Sequence, residues 1–323
     1  MLKEQILQIQ EQASDLRVIV IGDIMIDRYY HGVVSRISPE APVPVLDWRK
    51  TVDRPGGASN VALNLKKLNC HVEMISVIGN DDYASIAKRQ MNEIGIVTHF
   101  YQEEDRATTL KSRFLADHHQ LLRLDQEDTH PISSEAESFI LNSFSQAIKK
   151  GISTVILQDY NKGIFQEDLI HQIISLANLN QIPVCVDPKK DHFFDYKNVS
   201  LFKPNLKEAK AALQIPSHKK VNIQVIFDEL LLKLNCKNLM ITLASEGLII
   251  GNELESKIVP TKERLVKDVS GAGDTVISVA AICTALNVSQ TVMAELCNLA
   301  GGIVCESPGV STITWEAIVK DLN

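Results

Sequence analysis

Three kinds of run are missing from these 323 residues: no window of eighteen apolar residues, no block of five like charges and no low-complexity linker. The first absence leaves no segment that reads as a membrane span. The second removes the basic arm expected of a nucleic-acid binder, and the third leaves no seam at which to divide the chain. A formal net charge of -7 points the same way, so a phosphorylated ligand must find its cations locally. Cysteine is sparse and scattered: Cys70, Cys185, Cys236, Cys283, Cys297 and Cys305 form no C-x-x-C pair. That pattern fits reduced, buried thiols in a cytoplasmic protein better than a metal or redox centre. The opening segment MLKEQILQIQEQASDL has helically spaced apolar positions but charges throughout, unlike a signal peptide.

Familiar phosphate-binding strings are lacking too. No G-x-x-x-x-G-K-[ST] occurs, a G-x-G-x-x-G loop misses its third glycine, and protein-kinase signatures are absent. Present instead is DVSGAGD, Asp268 to Asp274, directly before the apolar run TVISVAAICTALNV, which holds no glycine or proline over about four turns. Gly271, Ala272 and Gly273 should therefore offer free backbone N–H groups at a helix N-terminus, an end that attracts anions. A carboxylate is unwelcome inside a phosphate cradle. Asp274 at its rim suggests a group that takes a proton from a hydroxyl about to receive phosphate. The plainer alternative stays open: glycines for a tight turn, and an acidic first-turn residue favoured by the helix dipole.

With 45% apolar residues the chain can bury a substantial core. Short β-branched runs alternate with amphipathic runs of helix length, the pattern of an α/β fold with a largely parallel sheet flanked by helices on both faces. Strands are expected at Val18 to Ile21, Glu73 to Ile78, Thr154 to Leu157, Val184 to Val186, Ser200 to Lys203 and Leu239 to Leu243. Helices are expected at Ser59 to Leu68, Asp82 to Ile94, Glu135 to Lys149, Glu167 to Asn178, Leu206 to Leu213 and Ile223 to Leu234. Ser134 with Glu137 reads as a capping box, and Gly95 and Gly151 as helix stops. Two insertions, 28–54 and 100–125, break the alternation; the second reads as two β-rich runs around Asp117 and His118. Period-two stretches such as VPVLDW and LLRLD suggest a small β lid over the strand C-terminal ends, where open α/β sheets bind ligands. Excluding water there would suit phosphoryl transfer to a sugar.

VIGDIMIDRYYHG, SRISPEAPVPV, RPGGASNVALNLKKL, LLRLDQE, KPNLKEA, ITLASEGL and DVSGAGDTVI follow one another as they do in ribokinase-like (PfkB) carbohydrate kinases, and the likeness covers nearly the whole chain. Within that superfamily the chain resembles most the kinase domain of the D-glycero-D-manno-heptose 7-phosphate kinase/adenylyltransferase proteins. It departs from them in two places. No H-x-G-H nucleotidyltransferase signature follows Trp315, so residues 1–323 read as a single kinase domain, and CESPGVST replaces the relatives' GKLGT, which puts the nucleotide loop there in doubt.

The resemblance implies Asp274 as catalytic base and Gly271, Ala272 and Gly273 as the anion hole. It places Asn205, Leu206, Lys207 and Glu208 at the nucleotide, Asn205 and Glu208 holding Mg²⁺ through water, with Thr242, Gly247 and Asn298 nearby. Read locally, Asn205 and Glu208 would be only a helix cap with an acidic first turn. Asp27, Gly56, Gly57 and Asn60 are implied sugar contacts, against the local reading of a cap on a glycine turn. A substrate already carrying phosphate needs cations, and Arg36, Lys111, Arg113 and Arg123 in the two insertions are the candidates. Asp187 and Lys189 sit at a strand end and are left unassigned. The combined reading is an ATP- and Mg²⁺-dependent kinase acting on the anomeric hydroxyl of a heptose 7-phosphate, with a monovalent cation left open and a homodimer through the β lid as its expected assembly. The alternatives are a kinase of the same fold acting on ribose, fructose phosphate or a nucleoside, and a non-catalytic sugar-phosphate sensor. Nucleic-acid and membrane partners are not expected.

Overall fold

Alternate side chains of the first strand, Arg17–Gly22, enter different cores: Val18 and Val20 pack into one, Ile19 and Ile21 into the other. A strand with both faces covered must be apolar at every position, which explains its unbroken β-branched run. Each such side chain, fully buried, stabilises the fold by about 1.5–3 kcal/mol.

The computed structural model describes residues 2–117 and 119–322. Helix α1 (Leu2–Ala13) precedes β1 (Arg17–Gly22). The long pair β2 (Ile24–Ile37) and β3 (Pro44–Gly57) follows, then α2 (Ala58–Lys67), β4 (His71–Gly79), α3 (Asp82–Ile94) and β5 (Val97–Glu103). A second pair, β6 (Leu110–Ala116) and β7 (His119–Gln126), leads to α4 (Ser134–Lys149), β8 (Thr154–Gln158), α5 (Glu167–Leu179), β9 (Val184–Asp187) and β10 (Leu201–Phe202). Then come α6 (Leu206–Ala212), α7 (Ile223–Leu234), β11 (Leu239–Thr242), β12 (Leu248–Gly251), β13 (Ser256–Val259), α8 (Ala272–Ala285), α9 (Gln290–Cys305) and α10 (Trp315–Asp321).

The main sheet has nine strands in the order β13-β12-β11-β10-β9-β8-β1-β4-β5. Pairing is parallel from β5 across to β11; only the β11–β12 and β12–β13 pairs are antiparallel. Helices α1, α2, α3, α8, α9 and α10 contribute to the core on one face, and α4 to α7 to the core on the other. The four strands β3-β2-β6-β7 form the separate small sheet of the lid.

Several expectations need correction. Phe100 to Glu103 belong to β5, the edge of the main sheet, and not to the lid. Ser133, not Ser134, caps α4, accepting from Ala136 N–H at 3.2 Å, while the Ser134 hydroxyl turns to Glu135. The hairpin β12–β13 has no counterpart among the expected strands. Cys305 is half-buried, unlike the other five cysteines. His118, assigned to the lid, lies outside the described residues. Among the described residues no helix is long and apolar enough to cross a membrane.

Candidate active site

The central helix α8 explains where the site lies. Every residue from Asp274 to Cys283 is buried, so this helix runs through the core and brings its N-terminus to the C-terminal ends of the strands. Gly271 precedes it in the left-handed region, φ +82°, a conformation that favours glycine. Ala272 N–H bonds back to the Val269 carbonyl at 3.3 Å, and the N–H groups that follow it in the first turn lie at this end of the helix.

Asp274 stands on that first turn, 6% exposed. Burying a carboxylate is unfavourable unless donors meet it. Its Oδ2 accepts from Asn60 Nδ2 at 2.8 Å, and its Oδ1 from the Tyr160 hydroxyl at 2.6 Å. Burial pushes its pKa up to about 6, against the pull of the Asn60 and Tyr160 donors. Asn60 itself is fully buried on α2, one turn before Asn64, which donates to the Asn60 carbonyl. A carboxylate so held, at a helix N-terminus, can receive a proton from an alcohol whose oxygen then meets an anion seated on the amides.

Around it the strand ends supply charge. Asp187, ending β9, pairs with the buried Lys203 at 3.1 Å and accepts from Gln158 Nε2 at 3.1 Å. A Cβ placed on Gly273 would lie 3.9 Å from both Asp187 Oδ2 and Lys203 Nζ, so this pair borders the head of α8. Lys189 pairs with Glu208 and lies 5.3 Å from the centre of the Tyr160 ring. Burial alone would lower the Lys189 pKa, but the Asp187 and Glu208 carboxylates outweigh it and hold the ammonium charged.

Asn205 and Glu208 form the capping box of α6: Asn205 Oδ1 accepts from Glu208 N–H and Glu208 Oε2 from Asn205 N–H, both at 2.9 Å. Leu206 and Lys207 fill the turn between them. Thr242 ends β11 and bridges to Asn205. Asn298 donates to the Val259 carbonyl at 2.8 Å, and Gly247 packs against that same carbonyl. Asn298 and Gly247 thus converge on the end of β13.

Among the expected sugar contacts, Asp27 is 4% exposed and accepts from Arg113 on the neighbouring lid strand. Gly56 lies opposite, so close that a Cβ there would stand 2.5 Å from Asp27 Oδ2, and Gly57 follows as the cap of α2. The other lid cations sit elsewhere. Lys111 is held by Asp125 and Glu127, Arg123 by Asp125, and Arg36 is exposed near the end of β2. Sequence reasoning missed Arg54, which stacks on Tyr29 as Arg113 does and donates to the Val310 carbonyl at 2.7 Å. This contact ties the lid to the CESPGVST loop, whose Gly309 N–H binds Asp268 at 2.9 Å. Tyr160, Gln158 and Lys203 were missed as well; their one signal was polarity directly after an apolar strand.

An α/β sheet with an anion-seeking helix end, a buried carboxylate beside it and a β lid above defines a phosphotransferase acting on a sugar hydroxyl. Comparison with known proteins agrees: the pfkB family carbohydrate kinase model matches residues 15–317, and the chain belongs to that family. It is 37% identical over 316 residues to the bifunctional protein HldE of Trichlorobacter lovleyi, covering 97% of this chain and 64% of that protein. With its counterpart in Aliarcobacter butzleri it shares 39% over 306 residues, 94% of this chain and 63% of the relative. The chain therefore spans somewhat less than two thirds of these relatives. Phosphofructokinase-2 from Escherichia coli, solved in complex with potassium, superposes with a TM-score of 0.79 at 18% identity, covering 94% of this chain and 97% of that one. At that identity the likeness speaks for the fold.

Proposed function

We propose that this chain uses ATP to phosphorylate the C1 hydroxyl of D-glycero-D-manno-heptose 7-phosphate, giving the 1,7-bisphosphate on the route to ADP-heptose and lipopolysaccharide core. The observation that carries the chemistry is Asp274, buried at the head of α8 with donors on both oxygens. The acceptor rests on SRISPEAPVPV and RPGGASNVA and on the likeness to the bifunctional relatives.

Asp274 takes the proton of the anomeric hydroxyl. The freed oxygen pair attacks the γ-phosphorus while the bond to the bridging oxygen breaks, and ADP leaves with that electron pair. The Gly271–Ala272–Gly273 turn serves as the anion hole for the moving phosphoryl, with the Ala272 N–H turning to it from the Val269 carbonyl; donors of this kind are worth roughly 10²- to 10³-fold each in comparable sites. Asp27, Gly56, Gly57 and Asn60 hold the sugar, and Arg113 is the lid cation paired with Asp27 among them. Asn205 to Glu208, Thr242, Gly247 and Asn298 border the nucleotide.

Among the described residues no three carboxylate, histidine or cysteine groups converge as a metal cage. Glu208 spends one oxygen on Lys189 and the other on the Asn205 N–H. That donor set fits Mg²⁺ gripped through its own waters by Glu208 and Asn205. When bound, the ion neutralises the β- and γ-phosphate oxygens.

As a working unit we favour a cytoplasmic homodimer joined through the lids, whose Ile37, Val43, Trp48, Leu122 and Leu124 are exposed in the single chain. Light scattering at micromolar concentration should return twice the chain mass; a monomer mass would reject the dimer. For the activity, ADP release is measured with ATP and heptose 7-phosphate, ribose, fructose phosphate or a nucleoside. Turnover should appear with the heptose. ADP formed only with another acceptor would move the chain to a different branch of the family, and none with any acceptor would favour a sensor.

A further inference from the structure

Tyr160 stands on the turn after β8, far in sequence from Asp274, and its phenol points at the carboxylate through the shortest contact that Asp274 makes. The turn carrying it is pinned by two buried acids. Asp23 Oδ2 accepts from Tyr160 N–H at 2.7 Å and Lys162 N–H at 3.2 Å. Asp159 accepts from Asn161 N–H at 2.7 Å and from the Tyr196 hydroxyl at 2.9 Å. With its backbone so fixed and its ring beneath Lys189, the phenol has little freedom to turn away.

Burial, and next to it the Asp274 charge, hold the Tyr160 phenol well above its ordinary pKa, so it remains a proton donor across the working range. A phenol that cannot ionise can only give its hydrogen bond to Asp274 Oδ1. Asn60 fills one site on Oδ2, which leaves the carboxylate one orientation and a free lone pair for a third hydroxyl. The charged groups facing the pair are Asp187 and Lys203 at the ends of β9 and β10, Asp27 on β2, and Lys189. Asp187 disfavours ionisation of Asp274 and Lys203 favours it, so the main force holding the carboxyl ionised against its burial comes from the Asn60 and Tyr160 donors.

We propose that Tyr160 is the positioning residue of the base: delivered by the turn that Asp23 and Asp159 hold, its hydroxyl orients Asp274 and sustains it as the ionised proton acceptor. The proposal rests on the reading of Asp274 as base.

The test follows the Asp274 carboxyl directly, in the free enzyme, by ¹³C NMR of aspartate-labelled protein, its resonance assigned by its loss in Asp274→Asn. In Tyr160→Phe the titration midpoint should rise by about one pH unit, since hydrogen bonds to charged groups are strong and this one is removed. The acid limb of kcat/KM should move with it. Placing 3,5-difluorotyrosine at position 160, a stronger donor of the same shape, should move the midpoint down, which guards against a Phe variant that folds poorly. Midpoints unchanged by both substitutions would overturn the proposal. An Asp274→Asn protein that still turns over would instead remove the base assignment, and the two failures are distinguishable.

Discussion

Asn60 Nδ2 lies 2.8 Å from Asp274 Oδ2, joining the glycine-rich entry to α2 with the head of α8 across 214 residues of sequence. The two motifs thus build one wall, in which the residue proposed to meet the sugar also holds the proposed base. Replacing Asp274 by Asn keeps the size and the Asn60 contact region but removes the proton acceptor. We expect kcat to fall roughly 10²- to 10⁴-fold with the ATP dissociation constant within about twofold of wild type. Stopped-flow turnover and calorimetry measure the two quantities, and an unchanged kcat would remove Asp274 from the mechanism.

The acid dependence of activity follows from the same burial. Asp274 must be ionised to accept a proton, and its pKa is pushed up to about 6 by burial. The profile of kcat/KM should therefore climb with pH to a plateau whose half-point lies near 6. For stability the sign is opposite. A carboxyl whose folded pKa exceeds its unfolded value stabilises below about pH 4, and that contribution is lost as pH rises through about 6. The proposed base becomes competent where the fold loses a little stability. A half-point near 4 would show an Asp274 that solvent reaches freely.

How far the sequence foretold this architecture depended on how local the signal was. Helix α3 falls where expected because its cap and stop are adjacent: Asp81 accepts from Ala84 N–H and Gly95 takes the left-handed turn. Helix α7 likewise starts at the Asn222 cap and ends at Asn235. The strands β12 and β13 escaped notice because runs of four residues carry too little periodicity to stand out. Phe100 was given to the lid because β5 merges into the same β-rich stretch, and only pairing with β4 separates them. In the site, motif residues were legible and their supports were not. Nothing within DYNKG says that Tyr160 will meet a carboxylate 114 positions later. Arg54 found its partner 256 residues away, a contact fixed by tertiary packing alone.

Close approach at the sugar side can be tested with one methyl group. In Gly56→Ala the new Cβ would fall 2.5 Å from Asp27 Oδ2 and 2.8 Å from Met25 Cγ. Asp27 is held by Arg113, so it cannot retreat without breaking that pair. Overpacking of this kind costs about 1–3 kcal/mol of stability, and a displaced Asp27 should also raise the KM for the sugar several-fold. The KM for ATP should hardly move if Gly56 meets the sugar as proposed. Steady-state kinetics with each substrate varied in turn decides it: equal rises in both KM values would argue for a distortion shared by the whole cleft, and a lower apparent kcat with both KM values unchanged for partial unfolding.

Asp23 offers a last test, one of stability against pH. Its pKa is raised to about 7, first by burial and then by the charge of Asp159. Oδ2 accepts two N–H groups, while Oδ1 has no partner among the described residues. The stabilisation it gives is complete below about pH 4 and is lost as pH rises through 7, since ionisation places a second negative charge beside Asp159. Asn at this position can accept the same two N–H groups and cannot ionise. Asp23→Asn should thus match wild type near pH 4 and melt higher at pH 8, by roughly 2 °C or more for a chain of this size. Thermal unfolding at the two pH values provides the comparison. A variant whose melting temperature falls in parallel with wild type between them would mean that Asp23 does not carry the penalty, and that the charge lost with rising pH lies elsewhere in the fold.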